Sequence, residues 1–532
     1  MSEFQYNGVD EKLANVNVGQ KEDSEAVLAQ VISSIRSHTD HAEYDMKNDV
    51  DEAMYLALKS KGVTLDEITD KKLLRKIDFH ILPLCCILYS IQYMDKTTTS
   101  YASIMGITED LDMVGNMYSW TGTAFYFGYL IFVFQASYLL QKFPLSKATA
   151  IFIFLWGAIL CLNAACTTYK SFVTLRVLLG MFESSITPSM MILTSQWYKK
   201  EEQFLRTAIW FSFNGLGTIM GSGIAYGLAI HLDSYSVTAW KLLFIITGVM
   251  SIFVSILWIF IIPDSPSNAW FLNEEEKLMI VERIRENKQG FGNKHFKKYQ
   301  FIEAISSPLT YLYAFYSFCT DVPNGGLGSF GSILLTDDFG FTTKKALIMS
   351  MPGGAVEVVG CIAIAFFMQK KLKIHRMLLA TINTALVLIY SCMLAFASHS
   401  KKTRLAGYYL FSTAPIGMIC ALSCFSSNTA GHTKKIIVNA IFLVGYCVGN
   451  IVGPQTFKSS EAPHYQGAKI AIVICYCFAV ALMLGAYIVC SLENKKRDKL
   501  QAENPDIGIS HIQNSEFADL TDKENVNFRY EL

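Results

Sequence analysis

Uninterrupted apolar stretches about as long as a bilayer is thick recur along this chain. A backbone in hydrocarbon must satisfy its own hydrogen bonds, which leaves only helices or a closed barrel. A helix needs roughly 20 residues to cross a core of about 30 Å. Twelve candidates begin near Ile77, Tyr118, Ala148, Ser171, Thr207, Trp240, Leu309, Ala346, Ile374, Leu405, Ile436 and Ala468. The fold class expected is therefore an all-α membrane protein of twelve transmembrane helices. Charge agrees: 17% of residues are charged and 52% hydrophobic, against about 25% charged in soluble chains. A net charge of zero gives no basic surface for nucleic acid. With no nucleophile–base or metal-ligand pattern in view, neither an enzyme nor a cofactor is expected. The 13 cysteines fall in apolar segments and read as small core hydrophobes.

An even number of spans puts both termini on one side. Lys71, Lys72, Arg75 and Lys76 precede span 1, Lys199, Lys200 and Arg206 join spans 4 and 5, and Lys495, Lys496, Arg497 and Lys499 follow span 12. This bias places the tails in the cytosol, although Lys401, Lys402 and Arg404 on the other side weaken it. The one long internal polar stretch, 263–307, divides the spans into six and six. Within it "PSNAWFLNEEEKLMIVERIRENKQ" has the apolar spacing of a surface helix. The expected organisation is a polar tail over 1–72, a six-helix bundle over 73–262, the central loop, a second bundle over 308–492 and a tail over 493–532. No apolar core follows a basic start, so no signal peptide is expected. In "TLDE", Thr64 and Glu67 fit a capping box opening a short helix into the membrane.

Two six-helix halves are the layout of a transporter with its solute site at the midplane between repeats, where interrupted spans point. Span 1 reads "ILPLCCILYSIQYM" and then "DKTTTS". Its first run of 14 residues rises only about 21 Å, which puts Asp95, Lys96 and the hydroxyls that follow inside the membrane. Span 7, "YAFYSFCTDVPNGGLGSFGSILL", is expected to break at Pro323, Gly325 and Gly326, with Asn324 as polar candidate or the sequence as a simple kink. Span 4 holds "RVLLGMFESSITP", where Arg176, Gly180, Glu183 and Thr187 share one helical face. Ionisable groups at this depth are costly and usually functional, though a buried pair can instead lock the bundle. In span 5, Gly217/Gly221 and Gly223/Gly227 have the small-xxx-small spacing of close helix packing, and Asn214 is a possible hydrogen-bonder. Glu357 in span 8 is either functional or a satisfied core group. Tyr93, Phe125, Tyr126 and Tyr446 are candidate pocket walls.

Several motifs together resemble one family. They are "YMDKTTTSYASIMG", "RVLLGMFESSITP", "WYKKEEQFLR", "PDSPSNAWFLNEEEK", "NTAGHTKK", "GNIVGPQTF", "APHYQGAK" and "DLTDKENVNFRYEL". The chain, from about Leu65 to its end, is similar to the fungal allantoate permease group among the anion:cation symporters of the major facilitator superfamily. The resemblance implies a plasma-membrane permease that brings in a small organic anion together with protons. By motif position, Asp95 and Glu183 carry proton coupling, and Lys96 and Arg176 recognise the anion. Asn214, Asn324 and Tyr126 are added as solute contacts, with Glu357 and Tyr446 as possible ones. Lys96 departs from the arginine common in bacterial relatives, exchanging a bidentate contact for a point charge. In "SYLLQKFPLSK", Ser137 and Gln141 replace the usual Gly and Asp of the family's loop motif, so gating is expected to use other contacts. Allantoate or a similar ureido acid is the expected solute. Nicotinate, pantothenate or another vitamin or amino-acid-like carboxylate, or a non-transporting nutrient sensor, are the alternatives.

Overall fold

The computed structural model describes residues 66–231, 236–285, 297–367, 374–397, 399–503, 521–525 and 528–532. Among them the regular structure is helical throughout. The first half comprises α1 (Glu67–His80), α2 (Leu82–Ser103), α3 (Met117–Lys142), α4 (Leu145–Asn163), α5 (Tyr169–Glu183), α6 (Ile186–Trp197), α7 (Lys200–Ser212), α8 (Asn214–Ile230) and α9 (Ala239–Ile261). The central loop forms α10 (Glu274–Arg285), inside the expected surface helix, and a second helix, α11 (Lys298–Ser306). The second half comprises α12 (Pro308–Ile333), α13 (Thr343–Ile364), α14 (Arg376–Phe396), α15 (Lys401–Leu410), α16 (Pro415–Asn428), α17 (His432–Gln455) and α18 (Gln466–Glu503). Thr64 lies outside the described residues, and Asp66 holds the N-cap position of α1 without a side-chain cap bond.

Among the described residues ten helical stretches are long and apolar enough to cross a membrane. The other two expected spans are 200–230 and 308–333. The former is split at Phe213 into α7 and α8, each too short alone. The latter, α12, is one helix whose apolar content is diluted by Asp321, Asn324 and several Ser and Gly residues.

The interruptions do not fall where span 1 and span 7 placed them. The helix α2 runs unbroken through "DKTTTS", where Thr97 and Thr98 turn their hydroxyls back onto the carbonyls of Tyr93 and Met94 at 3.1 and 2.8 Å. Likewise α12 passes through Pro323 as a continuous helix. Both spans are interrupted in polarity, not in backbone. The backbone breaks fall instead in span 10 at Phe411–Thr413, in span 5 at Phe213 and in span 4 directly after Glu183. At the last of these Ser184 and Ser185 donate to the carbonyls of Met181 and Phe182, a back-bonding that bends helices, and Pro188 follows.

Within the first half, α2 packs on α8, α3 on α5 and α4 on α9; within the second, α12 packs on α17 and both α12 and α14 on α18. The halves meet through α2 with α12, α3 with α17, and α8 with α13. The last two contacts pair span 2 with span 11 and span 5 with span 8. Shifting each span by six exchanges one pair for the other, as two repeats around a twofold axis require. Close backbone approach builds these contacts. A Cβ at Gly215 would lie 2.2 Å from the Gly354 carbonyl oxygen, and one at Gly354 would lie 2.3 Å from that of Gly215. Gly217 packs similarly on Ser90, whereas Gly223 and Gly227 face open space or ordinary contact, so only the first glycine pair of span 5 makes a tight crossing.

Both described termini emerge at one end of the bundle, the near end, together with the central loop. Asp70 of α1 and Glu202 of α7 both pair with the fully buried Arg283 of α10, and Asp264 accepts from the backbone N–H of Ser146 at the start of α4. The C-terminal residues dock on this end too: Lys434 Nζ lies 2.6 Å from Asp522, and Glu531 reaches Arg376 of the second half and Lys200 of the first at 3.3 and 4.0 Å.

Candidate functional site

Midway along the bundle four charges from α2 and α5 pair crosswise. Arg176 Nη1 lies 3.9 Å from Asp95 Oδ1, and Lys96 Nζ lies 3.4 Å from Glu183 Oε1. Adjacent residues of α2 thus reach positions seven apart on α5, two turns of one face. The α3 helix fits between the charges, since a Cβ at Gly180 would lie 1.9 Å from the Phe125 carbonyl oxygen. It is therefore a helix, not a ligand, that uses this glycine.

The two pairs differ in access. Asp95, Glu183 and Arg176 are at most 3% exposed, while the Lys96 side chain is 21% exposed. Trp156 of α4 donates from Nε1 to Asp95 Oδ2 at 2.7 Å, and Gln92 donates to Glu183 Oε1 at 3.0 Å. The Arg176 guanidinium rests 5.4 Å from the centroid of Phe125. Asp95 Oδ1, Glu183 Oε2 and both Nε and Nη1 of Arg176 are buried without a hydrogen bond. Charges held by loose pairs and few hydrogen bonds have spare capacity for a new partner, because an unsatisfied buried charge is costly.

Across the midplane the second half supplies a polar cluster in which the candidate Asn324 meets two residues that sequence reasoning missed, Asp321 and Asn450. Asp321 of α12 accepts from Asn450 Nδ2 and from Ser317 Oγ, each at 3.2 Å. Asn324 donates from Nδ2 to Asn450 Oδ1 at 2.9 Å. Tyr446, one turn before Asn450 on α17, meets Tyr126 of α3 with ring centroids 6.1 Å apart. Tyr126 and Tyr446 thus connect the charged side to the Asp321 side. Asp321 carries the same signal as Asp95, a carboxylate at membrane depth, but was obscured by the Pro and Gly residues beside it. Trp156 and Gln92 gave no comparable signal.

The remaining candidates stand apart. Asn214 is buried at the break between α7 and α8, and no hydrogen bond of its side chain is described. Glu357 is 4% exposed, packs beside Gly215 and carries no described ion pair or hydrogen bond, so the satisfied-core reading finds no partner among the described residues.

Toward the far end the halves are in contact. Tyr118 donates to the Ser329 carbonyl at 2.7 Å, Ser100 to Ser332 at 3.1 Å, and Gln455 to Thr123 at 2.9 Å. Phe330 stacks on Phe457 at 4.6 Å and meets Tyr118 and Tyr465 edge-on. Above this layer lies a cavity of about 480 Å³ lined in part by Ser103, Glu109, Thr336 and Asp337. It sits outside the four charges, as a vestibule would. At the near end Phe204 and Ala208 of α7 pack with Cys361, Ile419 and Cys420 of the second half.

Comparison with known proteins places this geometry. The Major Facilitator Superfamily model matches residues 85–454. The allantoate permease of Saccharomyces cerevisiae is 47% identical over 98% of this chain and 98% of its own length. An uncharacterised transporter of Schizosaccharomyces pombe is 49% identical over 91% and 94%, and a thiamine pathway transporter of Saccharomyces cerevisiae is 35% identical over 86% of each. Among solved structures a proton:xylose symporter of the superfamily aligns with a TM-score of 0.58 at 14% identity, covering 77% of this chain and 95% of that one. A bacterial homologue of the lysosomal transporter Spinster, inward-facing and occupied, aligns at 0.56 and 14%, covering 76% and 96%. These two describe the fold alone.

Proposed function

This chain belongs to the Major Facilitator Superfamily and is a membrane transporter, and we propose that it imports a ureido carboxylate such as allantoate, driven by protons, through the plasma membrane. The observation that supports this reading is the crosswise ion pairing of Asp95, Lys96, Arg176 and Glu183, within a chain 47% identical to an allantoate permease over almost its whole length. The near end, where the described termini emerge, faces the cytosol, as the lysine and arginine bias requires.

Lys96 is the cation a solute reaches, because it alone of the four has a partly exposed side chain. A carboxylate arriving at Lys96 competes with Glu183 for the ammonium. Glu183 then lacks its counter-charge, and a proton takes that place. Arg176 is enclosed by Asp95 and Phe125, so its part is to hold Asp95, together with Trp156, rather than to touch the solute. Tyr126, Tyr446 and Asn324 form walls of the solute site. Opening alternates between the far-end layer of Tyr118, Phe330 and Phe457 and the near-end contact of Phe204 and Ala208.

The test is uptake of labelled allantoate by cells lacking their own permease, with unlabelled carboxylates as competitors. Saturable accumulation supports the assignment. No uptake by protein shown to be at the cell surface rejects it.

A further inference from the structure

The four midplane charges of the first half balance, two carboxylates against two cations, but Asp321 in the second half has no cation within ion-pair distance among the described residues. It is 5% exposed. Its two hydrogen bonds come from neutral groups, Asn450 and Ser317. A carboxylate offers about four lone-pair positions, so two remain unfilled. The geometry is also prepared: Asn324 fixes the Asn450 amide, whose Nδ2 additionally donates to the Tyr446 carbonyl at 2.9 Å. With its oxygen held by Asn324, the Asn450 amide is locked with its nitrogen toward Asp321. The carboxylate is thus positioned like a built acceptor and not like a stray charge.

From this we infer that Asp321, held by Asn450, accepts hydrogen bonds from N–H groups at the end of the solute opposite its carboxylate. The inference rests on the carboxylate transport proposed above and narrows it. The solute is an anion at one end, facing Lys96, and an N–H donor at the other, such as a ureido, amide or ammonium group. A site built to bond an N–H group rejects an analogue lacking it strongly, because its acceptor is then left unpaired. Asp321 is therefore a specificity residue, selecting ureido acids against plain carboxylates of the same size.

The test uses two isosteric acids, N-carbamoylglycine and 4-oxopentanoate, which differ by replacing NH₂ with CH₃ and NH with CH₂. Binding of each to purified full-length protein is measured by calorimetry for wild type, Asp321→Leu and Asp321→Asn. Wild type is expected to bind the ureido acid at least ~10-fold tighter. Asp321→Leu should bring the two within about twofold by weakening the ureido acid alone, and Asp321→Asn, which retains an acceptor oxygen, should fall between. A ratio unchanged in either variant overturns the inference, as does equal loss of both acids. If Asp321→Leu fails to fold, Asp321→Asn decides: wild-type selectivity with lost acid stimulation of uptake would assign Asp321 to the proton instead. Wild type binding both acids equally removes the inference but leaves carboxylate transport standing. Binding neither, with no allantoate uptake, removes both.

Discussion

Lys96 and Glu183 form an ion pair between α2 and α5 in which the glutamate side chain is fully buried and the lysine side chain is partly exposed. On the proposed mechanism this asymmetry makes Lys96 the entry point for an anion. Replacing it with Ala should raise the KM for the carboxylate about 10- to 100-fold, since a hydrogen bond to a charged group contributes about 1.5–3 kcal/mol. Lys96→Arg should restore more of the affinity than Lys96→Gln. Concentration-dependent uptake, normalised to surface protein, measures this, and an unchanged KM in Lys96→Ala would place the anion elsewhere.

The bond from Trp156 to Asp95 holds one member of the proposed coupling group. Trp156→Phe keeps the packing and removes the donor, at a cost of about 1.5–3 kcal/mol. Uptake driven by a proton gradient should fall at least fivefold while solute binding stays within twofold. Uptake with and without uncoupler, set against binding to the purified variant, separates these effects.

The crossing of Gly215 and Gly354 joins the two halves where they must move against each other. A valine at Gly215 cannot fit 2.2 Å from a carbonyl oxygen, so surface-normalised Vmax should drop at least tenfold. Gly227, with nothing within 4 Å of an added Cβ, is the control: Gly227→Ala should stay within about 0.5 kcal/mol in stability and transport normally.

At the near end Lys434 is 2% exposed between Asp522 and Glu303. Removing one partner of a buried pair costs about 3–5 kcal/mol, moderated here by the second carboxylate. Asp522→Ala should therefore lower the Tm of the detergent-solubilised protein by several degrees, whereas Lys523→Ala, at an exposed position, should not.

Asp338, beyond the end of α12, receives Arg404, His464 and Lys469. Burial raises its pKa, but the bonds from Lys469 and His464 and the nearby cations outweigh this and hold it below the usual carboxylate value. A lowered folded pKa stabilises the fold fully above the unfolded value of about 3.9. That contribution is lost as pH falls through the lower, folded value. Thermal stability should thus be flat from pH 7 to 5 on this account and decline below about pH 4. Asp338→Asn should be less stable at pH 6 and show a shallower acid decline.

Much of this arrangement could be read from residue types, because charge in hydrocarbon is rare enough to be informative. Asp95, Lys96, Arg176 and Glu183 stood out for that reason, and the helical period put the last two on one face. Their partner choice and exposure depend on how α2 and α5 cross, which no single span encodes. Trp156 was invisible because an indole in a span ordinarily reads as core or lipid contact. Pro323 and the glycines near it suggested a broken helix, yet the helix continues: α17 supports it by bringing Gly445, Gly449 and Gly453 against α12 carbonyls at one-turn intervals. The polar tail gave no sign of docking, since Asp522 and Tyr530 become buried only against Lys434 and Arg497 of the folded bundle.

The central claim, that Glu183 couples a proton to the solute, is tested most directly in proteoliposomes containing the purified protein. An inward proton gradient is imposed, and labelled allantoate uptake is followed for wild type and Glu183→Gln. The account predicts accumulation above the outside concentration for wild type, and for Glu183→Gln exchange of solute without gradient-driven accumulation. Accumulation by Glu183→Gln equal to wild type would contradict it.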